Sequence, residues 1–156
     1  MTRLLHEVVG YERVLVVLES GASGTAVIER ARELAEREGA AITVVGIARQ
    51  ARTSRGRCGY SAADYNQAIT ETVAEDLDRA RARLGGAGEH ATFELLVDTG
   101  DDVLARWSAL TAFDVVLLPA RRRRMRTPRH PAAAALLASG ADVRIIDAQG
   151  RRLPTA

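Results

Sequence analysis

Arginine is the residue type through which this sequence could do chemistry. Two stretches concentrate it: Arg49, Arg52, Arg55 and Arg57, then Arg121, Arg122, Arg123, Arg124, Arg126 and Arg129. No carboxylate interrupts either one, between residues 48 and 61 or between 119 and 131. Clustered guanidinium groups attract oxyanions, grip them bidentately and raise association rates. Ten of the 22 basic residues lie here, and the other 12 face 20 carboxylates. The formal net charge of +2 therefore conceals two basic segments set against an acidic remainder. Three partners fit that charge: an anionic small molecule, an acidic protein surface or a nucleic acid. The last lacks a stacking platform, since no aromatic interleaves the second stretch and Tyr60 alone borders the first. The competing account is a pair of solvated basic loops on a chain whose basic residues are all arginine.

Other chemistries find fewer residues. Cys58 is the single cysteine, which excludes an internal disulfide and a cysteine-based zinc site. His6, His90 and His130 are scattered, with no metal-ligand spacing. Ser20 follows an apolar run, but its surroundings are not Gly-x-Ser-x-Gly and no histidine partner can be named. No catalytic residue and no metal ligand is assigned, and the chain reads as non-enzymatic.

The elements that must position the arginines alternate in a regular way. Val14 to Leu18 is a continuous apolar run of strand length, followed by a small-residue turn from Glu19 to Gly24. Val27, Ile28, Ala31, Leu34 and Ala35 then fall on one helical face before Gly39, and Ala41 to Ile47 reads as a second strand. A longer helix starts near Ser61, where Ser61-Ala62-Ala63-Asp64 has capping-box form. It carries Ile69, Val73, Leu77, Ala80 and Leu84 on one stripe ahead of Gly85-Gly86, and Glu75 is spaced to pair with Arg79. Phe93 to Val97 is a third strand. Asp101 caps a short helix that turns Val103, Leu104, Trp107 and Leu110 to the core, where Trp107 packs as a core residue. Asp114 to Leu118 is the fourth strand, Pro131 to Ala138 the last helix and Val143 to Ile146 the fifth strand. Such alternation predicts an α/β fold, a parallel sheet with helices on both faces. Strand-to-helix loops of such a sheet emerge at its carboxyl edge, so both basic stretches belong to one edge.

The order and length of these elements, the first-strand pattern VLVVLES and the closing DVVLLP and ASGADVRIID resemble the universal stress protein family over about residues 13–147. The resemblance implies a three-layer, doubly wound, five-stranded sheet in the order 3-2-1-4-5. It also implies frequent homodimers, and ATP held at the carboxyl ends of strands one and four in members that bind it. Those members carry an acidic residue after strand one; after strand four they carry a glycine, two residues, a glycine, nine residues, then Gly-Ser or Gly-Thr. Here Glu19 takes the acidic place, with Ser20, Gly21 and Ile47 among the pocket positions. Pro119, Arg122, Ala132 and Ala133 take the four motif places, and Arg121 lies between the first two. Glycine lets backbone N–H groups approach phosphate closely, and proline has no N–H to give. The resemblance thus implies a pocket without the usual triphosphate cradle and no cofactor. The alternative is ATP or AMP held by the arginines. Ser20-Gly21-Ala22-Ser23-Gly24-Thr25 also resembles, loosely, the loop of ATP pyrophosphatases, but it lacks that loop's aspartate and second glycine.

At 156 residues one core is expected, with residues 1–12 and 149–156 as tails around a domain at 13–148. No apolar run reaches bilayer length and no signal peptide is legible, so the expected compartment is the cytoplasm, with no membrane partner. An apolar fifth strand at the sheet edge invites pairing with a second copy, which agrees with the homodimer that the resemblance implies.

Overall fold

The computed structural model describes residues 13–18, 22–51, 61–98, 103–109, 112–120, 133–138 and 140–154. β1 (Arg13–Leu18), β2 (Ala41–Arg49), β3 (Thr92–Asp98), β4 (Val115–Pro119) and β5 (Asp142–Ile146) alternate with α1 (Ala22–Glu38), α2 (Ala62–Leu84), α3 (Val103–Ala109) and α4 (Ala133–Ala138). With β6 (Arg152–Leu153) the sheet order is β3-β2-β1-β4-β5-β6, and the first five strands are parallel.

β1 lies at the centre, and Val14 to Leu18 are all buried, as a continuous apolar run requires when both sheet faces are covered. Val14, Val16 and Leu18 meet α1 and α2, while Leu15 and Val17 meet the layer of α3 and α4. Each such side chain taken from water contributes roughly 1.5–3 kcal/mol. The predicted stripe of α1 is buried at Val27, Ile28, Ala31 and Leu34, with Ala35 partly so. Gly39, at φ 65°, ends the helix by returning its N–H to the Ala35 carbonyl at 3.0 Å. Ser61 caps α2, its Oγ accepting the Asp64 N–H at 3.1 Å. Val73, Leu77, Ala80 and Leu84 bury the α2 stripe, Ile69 is half-buried, and Arg79 pairs with Glu75 at 3.3 Å.

α2 sits close enough on β2 to demand a glycine. A Cβ added at Gly46 would lie 2.5 Å from Val73 Cγ1 and 3.2 Å from Leu77 Cγ, so only a missing side chain lets the helix settle. Trp107 on α3 packs into the second core cluster, stacked on Phe113 with ring centroids 5.6 Å apart, and its indole N–H donates to Glu94 Oε2 at 3.0 Å.

Two expectations change at the carboxyl end of the chain. The sheet has six strands, because Arg152–Leu153 form β6, antiparallel to β5, within the stretch expected to be a tail. The fifth strand is therefore not the open edge: Ile145 pairs with Leu153 and Ile146 with Arg152. Asp147 is the cause. Its Oδ1 accepts the N–H groups of Gln149 and Arg151 at 3.0 and 2.8 Å, its Oδ2 accepts Arg151 Nε at 2.9 Å, and Gly150 takes φ 79° to close the turn. Residues 1–12, Asp101, Leu110 and Pro131 lie outside the described residues, so α4 is described from Ala133.

Candidate functional site

In an open parallel sheet the crevice for ligands lies at the carboxyl edge, where the strand order reverses. Here that point is between β1 and β4. β1 stays paired with β2 through Leu18 opposite Gly46, but its ladder with β4 runs only from Val14 opposite Val115 to Val16 opposite Leu117. Pro119 closes β4 and is buried there. Ala120 donates its N–H to the Ile146 carbonyl on β5 at 2.8 Å. Backbone groups alternate sides along a strand, so position 119 faces β1, where a proline has nothing to donate. A residue normally confined to sheet edges is thus accommodated in an inner strand, at the place where the β1–β4 ladder has already ended.

Beside this crevice, the chain leaving β2 is tied down. Arg49 ends the strand, exposed and opposite Asp98. Gln50 donates to the Asp98 carbonyl at 2.8 Å. Asn66, one turn into α2, then receives the Ala51 N–H on Oδ1 at 2.8 Å and returns Nδ2 to the Ala51 carbonyl at 3.5 Å. The first basic stretch therefore departs from a fixed point on the carboxyl edge. Nothing in helical periodicity marks Asn66, and a carboxamide that satisfies a distant backbone pair is invisible without the fold.

Of the predicted site residues, the structure describes four. Arg49 and Pro119 stand at the carboxyl ends of β2 and β4, and Ala133 opens α4. Ile47 is half-buried against the cluster on the α3 and α4 side, so its side chain is part of the packing. Glu19, Ser20, Gly21, Arg52, Arg55, Arg57, Arg121, Arg122, Arg123, Arg124, Arg126, Arg129 and Ala132 lie outside the described residues, as do Cys58, His6 and His130. Among the described residues no group of His, Cys, Asp and Glu is arranged to hold a metal ion, and no helix is long and apolar enough to cross a membrane.

One carboxylate at this edge is electrostatically set apart. Asp147, just past β5, has its pKa held below the usual 3.8, first by the backbone N–H of Arg151, against a smaller opposing effect of desolvation. The Arg151 guanidinium and the Gln149 N–H add to the lowering. Its signal in sequence was the turn pattern Asp147-Ala148-Gln149-Gly150, with aspartate first and glycine fourth.

The model of the universal stress protein family matches residues 10–143. No curated protein sequence matches significantly. Among solved structures, a universal stress protein family member from Burkholderia pseudomallei superposes with TM-score 0.66 at 23% identity, over 88% of this chain and 96% of its own. A universal stress protein from Lactobacillus plantarum gives 0.71 at 12% identity, over 86% and 97%. One from Archaeoglobus fulgidus, in complex with dAMP, gives 0.52 at 18% identity, over 86% and 97%. At these identities the structural likenesses show the fold.

Proposed function

This chain belongs to the universal stress protein family, and from that premise we propose that it is a non-catalytic binding module of the stress-response type. Its carboxyl edge takes an anionic ligand or an acidic partner through arginine side chains. The observation that carries this reading is Pro119: the crevice sits where the fold puts it, but the strand bordering it ends on a residue with no N–H. Phosphate cradling by the backbone after β4 loses its first donor there, while Arg121 to Arg124 follow directly in sequence. Side-chain recognition reads charge more than it reads a base.

A thermal-shift panel tests this. A ligand that binds only the native state raises stability by mass action. ATP and inorganic triphosphate are expected to raise Tm alike at low salt and to lose the effect together at moderate salt. The triple charge reversal Arg121→Glu, Arg122→Glu, Arg124→Glu removes both shifts. A salt-resistant shift specific to ATP would instead establish nucleotide recognition by the pocket, and no shift with any anion would remove the small-ligand form of the reading. The adenine-nucleotide alternative draws its support from the dAMP complex of the Archaeoglobus relative.

A homodimer, if it forms, needs a surface other than the full outer edge of β5, because β6 occupies Ile145 and Ile146. Sedimentation at tens of micromolar settles the assembly.

A further inference from the structure

The face of the sheet under α1 and α2 is apolar on β1, β2 and β4, at Val14, Val16, Ile42, Val44, Val115 and Leu117. On β5 it changes character. Side chains alternate along a strand, so Asp142 and Arg144 share this face with Ile146. Between the later turns of α1 and the β5–β6 hairpin lies a groove of about 260 Å³. Leu34 and Ile146, both buried, close its floor, and the four arginines Arg30, Arg37, Arg144 and Arg152 line it.

The carboxylates nearby do not match that set. Arg30 pairs with Glu33 at 3.0 Å and also donates to the Gly150 carbonyl at 3.4 Å. Asp142 serves two partners, Arg144 at 2.9 Å and Arg152 at 3.2 Å. Arg37 forms no ion pair among the described residues. Even with Glu38 counted, four guanidiniums face three carboxylates. Each guanidinium has five N–H donors, and these pairs leave most of them unspent. The Arg144 side chain is only 26% exposed, so an anion beside it is less screened than at an open surface.

We propose that this groove is a second anion site, separate from the β1–β4 crevice, for a small phosphate monoester. The guanidiniums take the phosphate oxygens. Because Arg152 belongs to β6, occupancy ties the hairpin to α1.

Phenyl phosphate is the probe, titrated into the full chain while the arginine Nε–H resonances are followed by NMR. Saturable shifts are expected at Arg37, Arg144 and Arg152, with slower amide exchange in β6. Arg37→Ala, on an exposed helix position, leaves the fold intact and weakens binding about tenfold. Benzoate, with a single charge, binds more weakly than phenyl phosphate. The charge reversals at Arg121, Arg122 and Arg124 leave this binding unchanged, which separates it from the carboxyl-edge reading. Wild-type affinity in Arg37→Ala would overturn the proposal, as would shifts confined to the arginines after β4 or no saturable shift at all.

Discussion

β2 presents Ile42, Val44, Gly46 and Ala48 to the helices above it, whereas β5 turns Asp142, Arg144 and Ile146 toward the same face. The two strands differ in what covers them. α2 lies along β2 so closely that its Val73 and Leu77 occupy the volume a side chain at position 46 would need. β5 is reached by α1 at Ile146, and beyond that point the Asp142 and Arg144 side chains keep 43% and 26% of their exposure. Charge is affordable where water still reaches it and a partner is at hand, and it is excluded where a helix seals the sheet. The ends of the strands differ too. β2 is pinned at its exit by a neutral carboxamide, Asn66, and β5 by an ionised carboxylate, Asp147.

The largest test of this contrast is on β2. Gly46→Val places a branched side chain where even a Cβ meets Val73 Cγ1 at 2.5 Å, and the expected loss is about 3 kcal/mol. Gly46→Ala is expected to lose about 1–2 kcal/mol by the same clash. Urea denaturation measures both, as a lowered midpoint at unchanged slope. Undiminished stability in Gly46→Val would mean that α2 can shift outward, and the picture of a sealed β2 would fail.

A smaller effect is expected at the β2 exit. Asn66→Ala leaves the Ala51 N–H without its partner, at an exposed site where water replaces part of the bond, so the expected loss is about 1 kcal/mol. Amide exchange at Ala51 should accelerate while β2 itself stays protected. Loss of protection along the whole of β2 would show that the carboxamide holds the strand as well as its exit.

How much of this was legible in the sequence follows the same divide. The five parallel strands and four helices came from apolar periodicity, because each buries a stripe or a full run. Ser61 and Gly39 announced their caps because those residue types have few other reasons to sit at helix ends. β6 was missed because two residues, Arg152 and Leu153, carry no periodicity, and their place is set by the turn at Asp147. Gly46 was missed because a glycine inside a strand has no side chain to read, and its reason lies on a helix 27 residues downstream at Val73. Of the candidate site, the edge that bears it was legible from topology, and so was Pro119 as a departure from the glycine motif. The staple Asn66 was not, since its backbone partner Ala51 lies 15 residues away and meets it only when the chain folds; Asp147 left only its local turn pattern, which names no sheet partner.

The hairpin at β5 gives the most local effect and the one that depends on pH. The Asp147 carboxyl is held below its ordinary pKa in the folded state, so its contribution is fully present above the ordinary value of 3.8 and is lost as pH falls through the folded value. The Gln149 and Arg151 amides are therefore expected to keep their protection at neutral pH and to lose it in acid as pH falls through the lowered folded value, ahead of β1 and β4. Asp147→Ala should produce the same opening at neutral pH. Part of the restraint is the Arg151 ion pair, whose arginine is 75% exposed, so salt weakens it modestly while the backbone bonds to Oδ1 persist. Opening the turn uncovers the outer edge of β5 at Ile145 and Ile146, a pairing surface that β6 otherwise fills. Sedimentation of Asp147→Ala should accordingly show more self-association than the unaltered chain at equal concentration. Hairpin amides that stay protected in Asp147→Ala would place the closure elsewhere, in the Arg152–Asp142 and Arg30–Gly150 contacts that join β6 and its turn to the charged face of β5 and to α1.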